Sequence, residues 1–267
     1  MTNPGNRGGR LAKFFSLFGG YRRENDTLVA EQNDEKRALR VLFIISNSET
    51  AFWLSEVTHP YWHLIERGIE VDFASPDGGK VVYDNYSDPY FEHSLEAEDI
   101  VSKGFLSDKN LVAKFETTLK LAELNLDRYD AVHVAGGRGA TFDLFPNADV
   151  AKTLEDFWVK DKVVGAICHG SIALGNIPNR VAGKKTTGYT LEADKYLQGL
   201  FGPSFEIPNY PQTVLESVST YSRTADSNDP YVIHDGKLVT GQNQQSASEY
   251  SIVFLAAMTG ASPVSFA

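Results

Sequence analysis

The chain has 267 residues, of which 42% are hydrophobic and 22% charged, and its formal net charge at pH 7 is −10. This composition is typical of a soluble globular protein, and the negative charge argues against a nucleic-acid partner, which would require a basic face. The single cysteine cannot form an intramolecular disulfide, so a reducing, cytoplasmic compartment is expected. No apolar run approaches the ~20 residues that a membrane-spanning helix needs.

Residues 1–37 precede the first regular pattern and are expected to form a flexible arm. The stretch "RLAKFFSLFGGYRR" (10–23) is basic and contains a short apolar patch. A membrane-surface helix or a targeting peptide is the alternative interpretation. Lys13 interrupts the apolar patch and no clear small-residue cleavage site follows it, which disfavours a signal peptide.

A strand, a helix and a second strand follow within forty residues. "ALRVLFIIS" (38–46) has the near-continuous apolar character of a strand buried on both faces. Apolar residues at helical spacing predict a helix over 53–68, with Pro60 as a kink or as its true start. "IEVDFASP" (69–76) alternates like a strand. This βαβ pattern implies a parallel sheet.

Residues 77–110 are rich in loop-forming residues, and we expect an insert that forms a lid or a pocket wall. Further along, the pattern predicts helices at 110–124, 150–161, 171–177 and 246–258, strands at 129–137, 162–168 and 184–189, and a hairpin at 231–243 around Asp235 and Gly236. The residues after position 37 therefore predict one three-layer α/β domain, 38–267, with a mostly parallel central sheet.

The only cysteine, Cys168, falls at a predicted strand-to-helix turn, with Gly165 before it and Gly170 after it. A tight turn of this kind is typical of a nucleophile elbow, which exposes a side chain at the carboxyl end of the sheet. The N–H groups and dipole of the following helix would favour the thiolate, and His169 could assist proton transfer. The alternative is a buried cysteine that acts as a small hydrophobic residue.

Two motifs at predicted strand ends, "AICHG" (166–170) and "VAGGRGATFD" (134–143), resemble the ThiJ/PfpI superfamily, which shares a flavodoxin-like fold with class I glutamine amidotransferases. The resemblance extends in order through the segments 55–79, 182–194 and 232–247. Within the superfamily, "EVTHPY" (56–61) and the insert are similar to the glyoxalase III and chaperone-like branch.

The resemblance implies roles for individual residues. Cys168 would be the nucleophile, and Glu56 would hydrogen-bond its sulfur and move protons. His169 would complete a Cys–His pair oriented by Asp194, with Glu192 as the alternative acid. Each of the three carboxylates could instead be an ordinary solvated surface group.

The loop after the second motif implies an oxyanion site built from the N–H groups of Gly137 and His169, next to Gly136. Arg138 stands where the branch often has histidine, in "GGRG" rather than "GGHG". An arginine cannot act as a base, but it could bind a carboxylate or enediolate oxygen, or point to solvent.

No histidine shows metal-ligand spacing, and "GGRGA" lacks the glycine pattern of a phosphate-binding loop, so neither a metal nor a nucleotide cofactor is expected. The resemblance implies a cofactor-free lyase that converts small 2-oxoaldehydes such as methylglyoxal to 2-hydroxy acids without glutathione. An amidase or peptidase using the same thiol, and a non-enzymatic redox sensor or holding chaperone, are the alternatives. A homodimer with no membrane span is also implied.

Overall fold

A computed structural model describes residues 38–260, so the predicted arm (1–37) lies outside the described residues. The strands are β1 (Arg40–Ile44), β2 (Glu70–Ser75), β3 (Leu119–Lys120), β4 (Ala131–Val134), β5 (Val163–Ile167), β6 (Lys185–Thr186), β7 (Thr220–Tyr221), β8 (Val232–Asp235) and β9 (Leu238–Gly241). The helices are α1 (Ser55–Ile65), α2 (Ile100–Leu106), α3 (Lys109–Ala113), α4 (Ala140–Asp143), α5 (Ala148–Val159), α6 (Pro178–Val181), α7 (Leu191–Phe201), α8 (Pro211–Val218) and α9 (Ala247–Thr259). No helix among residues 38–260 is both long and apolar enough to cross a membrane.

The central sheet has seven strands in the order β3-β2-β1-β4-β5-β9-β8. All neighbouring pairs are parallel except β8 and β9, which form the predicted antiparallel hairpin. Strands β6 and β7 form a separate parallel pair. The prediction of a mostly parallel sheet is therefore confirmed.

Helices cover both faces of this sheet, and the apolar side chains on both sides of β1 pack against them. Val41 and Phe43 join one core cluster, which also receives apolar residues of α1 and α9. Leu42 and Ile44 join a second cluster, which receives α5 and the segment after β5. Successive side chains of a strand point to opposite faces, so a continuous apolar run supplies both cores.

One local prediction was wrong. The helix expected at 110–124 is limited to α3, because Phe115 turns into the core and Thr118 pairs with Gly79 through two backbone hydrogen bonds of 2.8 and 2.9 Å. The insert at 77–110 is mostly loop, as expected, and it also contains a short 3₁₀ helix (Asn85–Ser87) and α2.

Other boundaries differ in a simpler way. The segment predicted as a helix at 171–177 is a 3₁₀ helix that begins at Cys168 and runs to Asn176. Helix α1 begins at Ser55, and Pro60 lies inside it. Helices α7 and α8 occupy a region for which the sequence pattern made no prediction.

Candidate active site

Cys168 directly follows β5 and has a φ of 56°, in the left-handed region that residues other than glycine rarely adopt. The chain turns from strand to 3₁₀ helix at this residue. The segment after the turn packs closely on the end of β4, since a Cβ on Gly170 would lie 2.5 Å from the carbonyl oxygen of Ala135 and 2.6 Å from that of Val134. The elbow predicted from the two flanking glycines is therefore present in the backbone.

His169 connects Cys168 to a buried carboxylate. Its Nδ1 lies 3.4 Å from Cys168 Sγ, and its Nε2 lies 2.9 Å from Oδ1 of Asp194, which is fully buried in the first turn of α7. The carboxylate accepts a hydrogen bond from Nε2–H, so the proton of the neutral ring stays on Nε2. Nδ1 is then free to accept a hydrogen bond from the thiol. Glu192, the alternative acid, instead pairs with Arg223 at 3.0 Å on the surface.

Glu56, on the first turn of α1, is fully buried against the same sulfur. Its Oε2 accepts a 2.8 Å hydrogen bond from the N–H of Gly136. Burial raises the pKa of this carboxyl to about 8, against a smaller lowering by hydrogen bonds with Cys168 and Gly136. At neutral pH Glu56 is therefore mainly a neutral acid that can donate a proton.

Burial, together with the charge of Glu56, also raises the pKa of the Cys168 thiol well above its ordinary value. The N–H groups of His169 and Gly137 lower this pKa, as expected for a thiol at a helix start, but burial outweighs them. The expectation of a favoured thiolate was wrong in the free protein, because the helix-start argument omitted desolvation. His169 Nδ1, 3.4 Å from the sulfur, is the basic atom in contact with this protonated thiol.

The glycines after β4 have different tasks. The N–H of Gly137 lies against the sulfur, as does that of His169, so these two donors are available to an oxyanion. Gly137 has a φ of 90°, and a Cβ there would overlap the backbone of Phe52 and Trp53. The N–H of Gly136, by contrast, is committed to Glu56, so it orients the acid rather than the oxyanion.

Arg138 contacts a neighbouring loop. Its guanidinium stacks on Phe205 at 4.2 Å from the ring centroid and donates to the Glu206 carbonyl oxygen at 3.3 Å. Phe205 and Glu206 line a surface cavity of about 510 Å³ that does not include Cys168. The contacts of Arg138 therefore connect it to this neighbouring loop and not to the reacting thiol.

The sequence patterns missed two aromatic residues near the site. The ring of Tyr189 stacks on His169 with centroids 4.1 Å apart. Tyr250 donates from its hydroxyl to Nδ1 of buried His133, whose Nε2 donates to the backbone carbonyl of Glu56, at 2.8 and 2.9 Å. Neither tyrosine carries a motif signal, since both lie within apolar or polar runs that predict only secondary structure.

Among residues 38–260, no cluster of three or more histidine, cysteine or acidic side chains could hold a metal ion. His59 instead bridges helices, with Nε2 3.1 Å from Asp99 Oδ1 and Nδ1 2.8 Å from Ser248 Oγ. Its neighbour His63, four residues on, has a pKa lowered to about 4 by burial.

Several known proteins are similar to this chain. Glutathione-independent glyoxalase HSP31 of Saccharomyces cerevisiae is 27% identical over 79% of the chain and 90% of the yeast protein. Glyoxalase 3 of Candida albicans is 27% identical over 77% of the chain and 88% of its own length. The crystal structure of C. albicans glyoxalase III covers 82% of the chain and 97% of that structure, with 26% identity and a TM-score of 0.69.

A Francisella tularensis protein, Rapid Encystment Protein 24 kDa, covers 82% of the chain and 99% of its own, with 29% identity and a TM-score of 0.72. The profile of the DJ-1/PfpI family matches residues 39–257. This range contains all strands of the central sheet and the helices from α1 to α8, and it ends within α9. The chain belongs to the DJ-1/PfpI family.

Proposed function

We propose that this protein is a cofactor-free, glutathione-independent glyoxalase that converts 2-oxoaldehydes such as methylglyoxal to 2-hydroxy acids. The observation that carries the proposal is the line from Cys168 through His169 to Asp194, with a neutral Glu56 carboxyl beside the same sulfur. One relative named as a glutathione-independent glyoxalase and another named as Glyoxalase 3, each similar over more than three quarters of the chain, support it.

The first step is the addition of the thiol to the aldehyde carbon, C1. His169 Nδ1 accepts the proton of Cys168 while Asp194 stabilises the resulting imidazolium through Nε2. The sulfur bonds to C1, and the former carbonyl oxygen accepts hydrogen bonds from the N–H groups of Gly137 and His169. Transfer of the His169 proton to this oxygen gives a neutral hemithioacetal.

The second step moves a hydrogen from C1 to C2. His169, neutral again after the first step, removes the C1 proton to form an enediolate and returns it to C2, while the proton of the C1 hydroxyl passes to the C2 oxygen. C1 is thereby oxidised and C2 reduced, so no external redox partner is needed. Water then hydrolyses the thioester, the thiol leaves with its proton restored, and a 2-hydroxy acid is released.

The decisive experiment measures methylglyoxal consumption without glutathione, with the product identified, for the native chain and for Cys168→Ser and Glu56→Gln. We expect turnover to lactate that both substitutions abolish. Glu249→Gln, which changes an exposed glutamate on α9, serves as the matched control and retains full activity.

Failure of the native chain to consume methylglyoxal while Cys168 still reacts with iodoacetamide would contradict the proposal. That result would favour an amide substrate or a redox-sensing role for the same thiol. The homodimer implied by the family resemblance and the cytoplasmic location expected from the single cysteine stay predictions.

A further inference from the structure

We propose that the hydroxyl of Tyr189 is a hydrogen-bond donor to the substrate and binds the carbonyl oxygen at C2. This inference rests on the proposed function and narrows its substrate class to carbonyl compounds that carry an oxygen next to the aldehyde. It is supported by the place of the ring, by the state of the hydroxyl and by the distribution of the other donors.

The ring of Tyr189 has a fixed position relative to the reacting atoms. Its backbone N–H donates to the carbonyl oxygen of Cys168 at 3.2 Å. The ring lies over the imidazole of His169 with centroids 4.1 Å apart and planes inclined by 29°. Thr190, the next residue, caps the N-terminus of α7, the helix that carries Asp194. The segment that orients His169 therefore also places Tyr189.

The hydroxyl of Tyr189 makes no hydrogen bond with any of residues 38–260. Its oxygen is also not one of the fully buried polar atoms that lack a partner, so it is not closed off from solvent. The side chain as a whole is only partly exposed. Two other tyrosines near the site bond to protein atoms instead, Tyr221 to the Gly188 carbonyl at 3.0 Å and Tyr250 to His133 at 2.8 Å. The Tyr189 hydroxyl is thus the one of these three that remains open to a ligand.

The electrostatic surroundings keep this hydroxyl protonated. Burial raises the pKa of Tyr189, and negative charge on Cys168, Asp194 or Glu56 raises it further. These three groups are the reacting residues themselves, so the phenol lies within their field. Tyr189 therefore remains a donor throughout the neutral and mildly alkaline range.

Neither the two backbone N–H groups beside the sulfur nor Arg138 serves the C2 oxygen. The N–H groups of Gly137 and His169 lie against the sulfur and serve the oxygen on C1. Arg138, the nearby cation expected to bind an enediolate oxygen, is held by Phe205 and Glu206. When the enediolate forms, charge develops on the C2 oxygen, and a donor aimed there stabilises the transition state.

Tyr189→Phe keeps the stacked ring and removes only the hydroxyl. We expect kcat/KM for methylglyoxal to fall by roughly 10- to 100-fold, because a site built to bond an oxygen loses that bond. The rate of Cys168 alkylation by iodoacetamide should stay within about twofold of native, because the ring still supports His169. Tyr196→Phe, which changes a tyrosine on α7 that is 70% exposed, is the matched control and leaves kcat/KM unchanged.

A second measurement does not depend on turnover. Reversible addition of an aldehyde to Cys168 protects the thiol from iodoacetamide, and propanal lacks the C2 oxygen that methylglyoxal has. We expect Tyr189→Phe to raise the half-protecting concentration of methylglyoxal by roughly tenfold and to leave that of propanal unchanged.

The two measurements separate the two proposals. If the native chain turns over methylglyoxal and Tyr189→Phe matches it in kcat/KM and in protection, the role of Tyr189 is wrong and the glyoxalase function stands. The native chain could show no turnover while Tyr189→Phe still raises the half-protecting concentration of methylglyoxal and not that of propanal. In that case the glyoxalase function is wrong and Tyr189 still binds the C2 oxygen. Equal loss of protection by both aldehydes, or slower alkylation, would show a structural role and overturn the inference.

Discussion

Cys168 is held in a left-handed conformation that costs a non-glycine residue about 1–3 kcal/mol, and its sulfur is buried beside a buried carboxyl. Both groups keep their protons in the free protein, since burial raises both pKa values. The resting thiol is therefore a weak nucleophile. In the proposed reaction it becomes a strong one only as His169 accepts its proton while the sulfur bonds to the carbonyl carbon.

Glu56→Gln should make the thiol ionise more readily. The amide cannot carry the negative charge that, after burial, raises the pKa of Cys168, and its oxygen can still accept the N–H of Gly136. We expect the pH midpoint of Cys168 alkylation by iodoacetamide to move to lower pH. An unchanged or higher midpoint would show that Glu56 does not act on the sulfur by charge.

Asp194→Asn should reduce kcat/KM for methylglyoxal by roughly 100-fold or more, because an amide no longer fixes the Nε2–H form of His169 or stabilises its cation. Glu192→Gln, two residues away and paired with Arg223 on the surface, is the matched control and should stay within about twofold. Steady-state kinetics of both variants test this assignment. Equal losses in both would remove Asp194 as the orienting group.

The sequence could predict Cys168, His169 and Glu56 as neighbours because motifs at strand ends and on the first helix carry them. For the orienting acid, the family resemblance favoured Asp194, but the sequence pattern itself could not exclude Glu192. Residues two apart on a helix point to nearly opposite sides, and only the packing of α7 decides which side faces His169. Tyr189 and the turn of Arg138 toward Phe205 depend in the same way on tertiary contacts.

At the scale of elements, Asp99 connects the insert to the helix that carries Glu56. Its carboxylate caps α2 by accepting the N–H groups of Val101 and Ser102 at 2.9 and 3.2 Å, and it also contacts His59 of α1. His59 in turn bonds Ser248 of α9. Three helices therefore meet at one polar junction on the face of the sheet that holds Glu56.

Asp99→Ala should lower the free energy of unfolding by about 1–3 kcal/mol, since it removes a cap and leaves half-buried His59 without its anion. Asp108→Ala removes the cap of α3 at an exposed position and should cost at most about 1 kcal/mol. Urea unfolding of both variants gives the comparison. A smaller loss for Asp99→Ala than for Asp108→Ala would contradict the junction.

The elements that the sequence predicted well are those with long apolar runs or clear turn residues, such as β1, β5 and the β8–β9 hairpin. The error at 110–124 has a physical cause. The stretch has helical spacing, but pairing of Thr118 with Gly79 and burial of Phe115 stabilise an extended path instead. Local propensity is a weak constraint where a segment of this kind can add to a sheet edge.

For the whole molecule, the sheet order explains why distant residues meet. Strands β1, β4 and β5 are parallel neighbours, so the segments that follow them begin at the same edge. Glu56, Gly137 and Cys168 lie on those three segments, and α7 adds Asp194 from a later crossover. The prediction of a parallel sheet placed Gly137 and Cys168 at one edge, the family resemblance added Glu56, and the position of α7 required the structure.

The buried Glu56 carboxyl should make the stability of the whole fold depend on pH. Its pKa is about 8 in the folded chain and near the ordinary value of 4.5 when unfolded, so the fold favours the neutral form. Its contribution is fully present below pH 4.5 and is lost as pH rises toward 8, because the unfolded chain releases the proton first. Between pH 5 and 7.5 this loss amounts to about 3 kcal/mol.

Urea unfolding at both pH values should therefore show that the free energy of unfolding of the native chain falls by about 3 kcal/mol more than that of Glu56→Gln. Groups common to both proteins, such as His133 with its pKa lowered by burial to about 3, cancel in this difference. Parallel changes in the two proteins would mean that Glu56 is ionised in the folded state, and it could then not serve as the neutral acid beside Cys168.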